Sequence, residues 1–381
     1  MNALFCNQTS YNFEKQKYLF EILAEQGGLK HIFVPEHGLF AEYQDQIPLD
    51  STHIYNFISP EIKIISLYGS SEDSIFIKKE NLENIDNLII DIQDIGSRYY
   101  TYISTIANIF KVIKENSIHI KIYVFDRPNP AGKNIEGTPI SSEFSSFIGH
   151  VGIPHRHGLT IGEMCLFLRN QISANFEIEL FNYNISNNQF FIQPSPNIPT
   201  LDTINIYSGT CLFEGTNFSE GRGTTKPFEI IGSPNISWSE LKTVQKGIKK
   251  YYKNNIPIHL RILKFVPTFH KFENQICNGF QLHQTGKEFH SLLFALILLR
   301  LLAENSINQE FWREGKYEKG NSKTAIELLA GDQAILDFLK GKNNFKLLKE
   351  KIQFSEKQWN IERNSIKKKS FISNPKSLFQ K

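Results

Sequence analysis

Glu36-His37-Gly38 stands directly behind an apolar run at 31–34, with Pro35 fixing the backbone before the glutamate and Gly38 permitting a tight turn after it. A carboxyl in a half-closed crevice can have its pKa raised, the condition for a general acid at neutral pH. The alternative for Glu36 is a cap or a structural ion pair. Asp91-Ile92-Gln93-Asp94-Ile95-Gly96-Ser97-Arg98-Tyr99-Tyr100-Thr101-Tyr102 spans a strand end and a first helical turn. Asp91 and Gln93 share a strand face, and Arg98 and Tyr102 a helix face. Carboxylate, amide, guanidinium and phenol together suit a sugar, gripping hydroxyls and stacking a ring face. The alternative is that Asp94 or Ser97 caps the helix and the tyrosines pack in the core.

Asp126-Arg127-Pro128-Asn129-Pro130 ends a further apolar run, and His155-Arg156-His157-Gly158 leads into a capped helix. Two histidines two apart suggest a metal, but no third ligand stands out, so hydrogen-bonding roles are preferred. Glu214-Gly215-Thr216-Asn217-Phe218-Ser219-Glu220-Gly221-Arg222-Gly223-Thr224-Thr225 is too polar for a core. Its glycines let backbone N–H groups and Arg222 approach an anion; the alternative is an ordered surface loop. G-x-G-x-x-G after the first strand, G-x-x-x-x-G-K-[ST] and G-x-S-x-G are all missing, so nucleotide binding and a nucleophile elbow lack their usual signals.

The elements that must position these residues are five short apolar runs at 3–6, 31–34, 62–67, 88–90 and 122–125, each breaking off into a polar cluster. Such runs between amphipathic helices read as parallel strands of an open, doubly wound α/β sheet over about residues 1–190, with the ligand crevice beyond the carboxyl ends. Glu36, Asp91, Asp94 and Asp126 are therefore expected at one edge of one sheet. Helices are expected at 12–26 (Asn12 as cap, Gly27-Gly28 as stop), at 97–115, and behind the capping boxes Thr160/Glu163 and Ser237/Glu240. Three prolines at 193–200 break the pattern. A strand at 258–266 and a very apolar helix at 288–303 follow. The expected division is 1–195, a catalytic domain, and 196–381, a smaller α+β domain closing the cleft.

The 381 residues carry 42 basic and 39 acidic side chains, a net charge of +3, which gives no electrostatic case for nucleic acid or a membrane surface. Lys367-Lys368-Lys369 reads as a solvated tail. Four scattered cysteines, Cys6, Cys165, Cys211 and Cys277, read as reduced core residues. No apolar stretch is long enough for a membrane span, and no signal peptide precedes the first strand. As the sequence stands a cytoplasmic location is expected, with a periplasmic or secreted one if an upstream segment is missing.

VPEHG, DIQDIGSRYYTYIST, DRPNP, RHGLTIGE, PSPNIPT and GTCLFEGTNFSEGRGTTKPFE, with PTFHKF (267–272) and CNGFQLH (277–283), resemble in order the motifs of exo-β-N-acetylmuramidases of the NamZ type. The resemblance runs from about Leu4 to the chain's end, departing where the DRPNP motif usually meets a double glycine and this chain has Gly132-Lys133. It implies a Rossmann-like domain and a smaller one with the active site between them. It also implies removal of N-acetylmuramic acid from the non-reducing end of peptidoglycan fragments, with no cofactor and no metal.

Glycoside hydrolysis usually needs an acid and a second carboxylate. Glu36 is the expected acid, Asp94 or Asp91 its partner, and Glu220 an outside candidate. Expected substrate contacts are Asn7, His37, Gln93, Arg98, Tyr99, Tyr102, Asp126, Arg127, Asn129, His157, Asn197, Glu214, Asn217 and Arg222. Selectivity for muramic acid over glucosamine requires a cation near the lactyl carboxylate. Arg222 is the first choice for it, with Arg98 and Arg127 in reserve. The partners expected are MurNAc-GlcNAc saccharides and muropeptides. The rival readings are a non-catalytic muropeptide-binding protein and a metal-dependent phosphoester hydrolase.

Overall fold

All five apolar runs are strands of one parallel sheet: β1 (Asn2–Cys6), β2 (Leu29–Val34), β3 (Lys63–Ser66), β4 (Asn87–Asp91) and β5 (Lys121–Asp126), joined by β6 (Ile178–Asn182). The computed structural model describes residues 1–44, 47–49, 53–182, 191–253, 256–286, 289–318, 321–367 and 372–373. The strand order is β3-β2-β1-β4-β5-β6, and every pairing is parallel. This is the Rossmann order, in which the chain reverses direction across the sheet between β1 and β4 and opens a crevice there.

The strands read as unbroken apolar runs because both faces are covered. Ala3 and Phe5 of β1 point into one core, with Leu88 and Ile90 of β4. Leu4 and Cys6 point into the other, with Ile89. Helix α1 (Leu19–Gln26) packs Leu19, Phe20 and Leu23 into the second core. Helices α2 (Tyr102–Glu115) and α3 (Ile161–Gln171) cover the first, α2 through Ile103, Ile106, Phe110 and Ile113.

Two helix starts differ from expectation. Residues 11–18 form a short hairpin, Tyr11–Asn12 against Lys17–Tyr18, in which Asn12 caps a turn by accepting from Lys15 N at 2.9 Å. Residues 97–101 are not helical because their backbone is engaged elsewhere: Ser97 bridges Arg156, and Arg98 N donates to His155 O at 3.1 Å. The capping box Thr160/Glu163 starts α3 as expected.

Beyond the proline segment lie α4 (Leu201–Thr210), β7 (Ile230–Ser233), α5 (Trp238–Tyr252), β8 (Ile258–Phe265), β9 (Cys277–Gln284) and α6 (Ser291–Asn305). The capping box Ser237/Glu240 opens α5, and the start of the expected helix at 288 falls outside the described residues. The three strands form an antiparallel sheet in the order β8-β9-β7. Short helices α7 (Ala325–Ala330) and α8 (Gln333–Leu339) precede the long α9 (Phe345–Lys367). α9 lies back on α3, where Trp359 stacks edge-on against Phe167 and donates Nε1–H to His157 O at 2.8 Å. A last strand, β10 (Ile372–Ser373), pairs parallel with β6. The tail residues Lys368 and Lys369 lie outside the described residues. All four cysteines are buried thiols, and no described helix is long and apolar enough to cross a membrane.

Candidate active site

Glu36 follows β2 in a turn that needs positive φ at His37 (+76°) and Gly38 (+95°), and a Cβ on Gly38 would meet the Glu42 carboxylate at 2.4 Å. The turn brings Glu36 over the start of α2. There Thr101, 65 positions away in sequence, donates its hydroxyl to Glu36 Oε2 at 2.6 Å. Asp91 ends β4, Asp94 follows it, and Asp126 ends β5. All four acidic residues therefore stand at the carboxyl edge of the one parallel sheet, though only Glu36 among them reaches the cavity.

That cavity is small, about 60 Å³, and opens to solvent. The first sheet contributes Glu36, His37, Tyr99, Tyr100 and Thr101 to its lining; the chain beyond contributes Asn197, Tyr207, Glu214, Arg222, Phe228 and Tyr317. Asn197 is steadied by Gln44, which accepts from its Nδ2 at 3.0 Å. A second, roomier cavity of about 460 Å³, within the range of small-ligand sites, adjoins the first and shares Glu36, Thr101, Ile148 and Tyr317 with it.

The polar segment 214–225 is buried in its central part, against the expectation that its polarity keeps it out of the core. Ion pairing makes the burial possible. Arg222 donates from Nη2 to Glu214 Oε1 at 2.8 Å, lies 3.3 Å through Nε from Glu220 Oε1, and covers the Phe228 ring at 5.2 Å. Tyr317 donates its hydroxyl to the other Glu214 oxygen. Glu220, fully buried, also meets Lys271 Nζ at 2.9 Å and His270 Nδ1 at 3.1 Å. Burial pushes the Glu220 carboxyl up, but Lys271, the His270 contact and Arg222 outweigh it and hold the group far below the usual carboxylate range. Glycine is required at 221 and 223, where φ is +85° and +76° and a Cβ would meet backbone at 2.5 and 2.7 Å.

The residues at the sheet's switch point are spent on each other. Asp91 pairs with Arg127 at 2.5 Å, both buried, and Arg127 also donates to Thr9 O at 2.6 Å. Burial raises the Asp91 carboxyl to about 6 in spite of the Arg127 charge beside it. Asp94 Oδ2 accepts from Gly96 N at 2.7 Å and from His157 Nε2 at 3.1 Å. His157 Nδ1 accepts from Leu159 N at 3.1 Å, which assigns the ring proton to Nε2. Asp126 takes Gly162 N at 2.9 Å and the Thr160 hydroxyl at 3.1 Å, capping α3, while burial raises its pKa. Asn7 donates to the Tyr102 oxygen at 2.8 Å, and Tyr102 in turn donates to Pro194 O at 2.8 Å, tying the proline segment over the edge.

Gln93 donates to Asp94 O at 2.8 Å, and Asn129 to Leu159 O at 2.8 Å. Arg98 is buried with carbonyls Thr138 O (2.9 Å), Leu329 O (2.7 Å) and Ala330 O (2.9 Å) and the His155 ring around it. Asn217 donates to Glu310 O at 3.0 Å. Of the sequence-derived candidates, then, the cavity gathers Glu36, His37, Tyr99, Asn197, Glu214 and Arg222. Asn7, Asp91, Gln93, Asp94, Arg98, Tyr102, Asp126, Arg127, Asn129, His157, Asn217 and Glu220 are not part of its lining. Among the described residues no group of three or more His, Cys, Asp or Glu is placed to hold a metal ion. Sequence reasoning passed over Thr101, Tyr207, Tyr317 and Lys271. Thr101 sat inside a quoted motif, but nothing in the sequence marked Tyr317.

A family model described as exo-beta-N-acetylmuramidase NamZ, N-terminal, matches residues 3–202, and its C-terminal counterpart matches residues 205–367. Over 325 residues the chain is 35% identical to the peptidoglycan beta-N-acetylmuramidase NamZ of Bacillus subtilis (strain 168), spanning 81% of this chain and 75% of that protein. Two solved structures from Bacteroides fragilis NCTC 9343, each described as a DUF1343 family protein, share the fold. One has a TM-score of 0.75 at 22% identity and the other 0.70 at 25%, each covering 98% of this chain and 94% of its own.

Proposed function

The chain belongs to the exo-β-N-acetylmuramidase NamZ family, and from that premise we propose that its cleft cuts the β-1,4 bond between N-acetylmuramic acid and N-acetylglucosamine. The muramic sugar leaves from the non-reducing end of peptidoglycan fragments. The observation that carries this reading is the position of Glu36 on the wall common to two adjoining cavities. A general acid in a glycosidase must stand at the oxygen joining two sugars, and a carboxyl at such a junction fits that requirement.

Glu36 gives its proton to the glycosidic oxygen as the bond to the anomeric carbon breaks; water then bonds to that carbon and gives up a proton, which restores the Glu36 acid and releases the free sugar. The Thr101 hydroxyl, donating to Oε2, orients the carboxyl and supports the carboxylate left behind. Glu214 is the second carboxylate of the smaller cavity's lining. Held there by Arg222 and Tyr317, it faces the positive charge that develops on the sugar ring, a task for which Asp91 and Asp94 are too deeply engaged. Arg222, aimed by Glu214 and Glu220, supplies the positive charge that selects the lactyl carboxylate of muramic acid. Tyr99 and Tyr207, edge to face at 6.4 Å, give the sugar an apolar wall.

The test is hydrolysis of a chromogenic β-N-acetylmuramide beside the matching β-N-acetylglucosaminide, each with and without a chelator. Release from the muramide in both conditions, with little from the glucosaminide, is the expected result. Muramide binding without turnover, or turnover abolished by the chelator, would overturn the reading.

A further inference from the structure

The larger cavity is not used by the function proposed above, yet Glu36 lines it too. Building on the function proposed above, we propose that it is the leaving-group site. In it Phe147, beside Tyr68, forms an apolar platform for the pyranose ring on the reducing side of the cut bond.

Continuity argues for the occupant. Glu36, Thr101, Ile148 and Tyr317 line both cavities, so a disaccharide with its glycosidic oxygen at Glu36 turns one ring toward the smaller cavity and the next into the larger. The wall chemistry fits a pyranose with equatorial substituents. Such a ring has hydroxyls and amide at its rim and flat C–H surfaces above and below, and those surfaces gain by leaving water for an aromatic face. The Tyr68 and Phe147 rings lie 6.2 Å apart with planes 31° from parallel, and Phe76 and Ile75 extend the apolar wall. Glu318 and Asn321 supply polar groups on the same lining.

The platform is also preformed. Ser146 and Gly149 exchange backbone hydrogen bonds at 3.0 and 3.1 Å, closing a tight turn. The Glu318 carboxylate accepts from Phe147 N at 3.3 Å and from Ile148 N at 2.8 Å. A loop fixed at both backbone N–H groups loses little freedom when a sugar lands on it. Tyr68, Phe147 and Glu318 fall outside every segment that carries the family resemblance, so no motif announced them.

The test compares Phe147→Ala and Phe147→Trp with the unaltered protein on two substrates. One is the MurNAc–GlcNAc disaccharide; the other is the β-N-acetylmuramyl fluoride, whose leaving group is a single atom. Phe147→Ala should lower kcat/KM on the disaccharide about tenfold, the scale of one lost aromatic contact, and leave the fluoride within about twofold. Phe147→Trp, which keeps a ring, should retain most of the disaccharide activity. Equal losses on both substrates, or no loss on either, would overturn the proposal, as would a Trp variant as impaired as the Ala variant. If the unaltered protein hydrolyses neither substrate, it is the muramidase reading that fails, and the two failures are told apart.

Discussion

Glu220→Gln separates a carboxylate that reacts from one that holds the site together. The native side chain is fully buried, 2.9 Å from Lys271 Nζ, 3.3 Å from Arg222 Nε and 3.1 Å from the His270 ring. Gln preserves the shape and removes the charge, leaving two buried cations without their shared anion. Breaking a buried ion pair from one side costs about 3–5 kcal/mol. Lys271 keeps carbonyl acceptors at Phe213 and Phe218, both 3.1 Å away, and Arg222 keeps Glu214, so the lower end, about 3 kcal/mol, is expected. At about 2 °C per kcal/mol this is a fall in Tm of roughly 6 °C.

The pH dependence carries a sign. The folded pKa of Glu220 is depressed, so its contribution is complete above the unfolded carboxylate value, about 4.3, and is lost as pH falls below it. The gap in stability between the native protein and Glu220→Gln should be flat from about pH 8 to 5 and narrow below about pH 4. Circular dichroism melts across that range, with kcat on a muramide at pH 7, measure both. A Tm unchanged by Glu220→Gln together with a hundredfold fall in kcat would refute the reasoning and make Glu220 a reacting group.

Two further outcomes follow from the site. Arg222→Ala should lower kcat/KM on the muramide roughly ten- to a hundredfold, the worth of a charge-assisted contact, and narrow its advantage over the glucosaminide; lost activity with full preference retained would make Arg222 structural. Asp94→Asn weakens the hydrogen bonds from Gly96 and His157, and should cost about 1–3 kcal/mol in urea titrations while kcat of the folded protein stays within a few-fold; a large kcat loss at unchanged stability would return Asp94 to the chemistry.

The strands were legible because sheets covered on both faces write continuous apolar runs, and α3 and α5 because a capping box is a local signal. The starts of α1 and α2 were not, since residues 11–12 pair with 17–18 and residues 97–98 with 155–156, partnerships that local propensity does not record. Glu36 could be found from its place after a strand. Which other carboxylates would face the cavity could not. That depends on Asp91 meeting Arg127, Asp94 meeting His157, and Glu214 meeting Tyr317 103 positions later, all set by tertiary packing. The segment 214–225 looked like surface because its charges were counted singly, whereas in the fold Lys271 and Arg222 neutralise Glu220 inside the core.

The most direct test of the account is kcat for Glu36→Gln on the MurNAc–GlcNAc disaccharide. Glu36 is reached from both cavities and accepts from Thr101, and Gln can hold that hydrogen bond through its carbonyl oxygen, so the fold and the substrate KM should change little. Without a proton to give, the variant should turn over at least about a hundredfold more slowly, in line with general acid catalysis. Turnover within a few-fold of the native protein would contradict the assignment of Glu36 as the acid, and with it the reading of the cleft built around that residue.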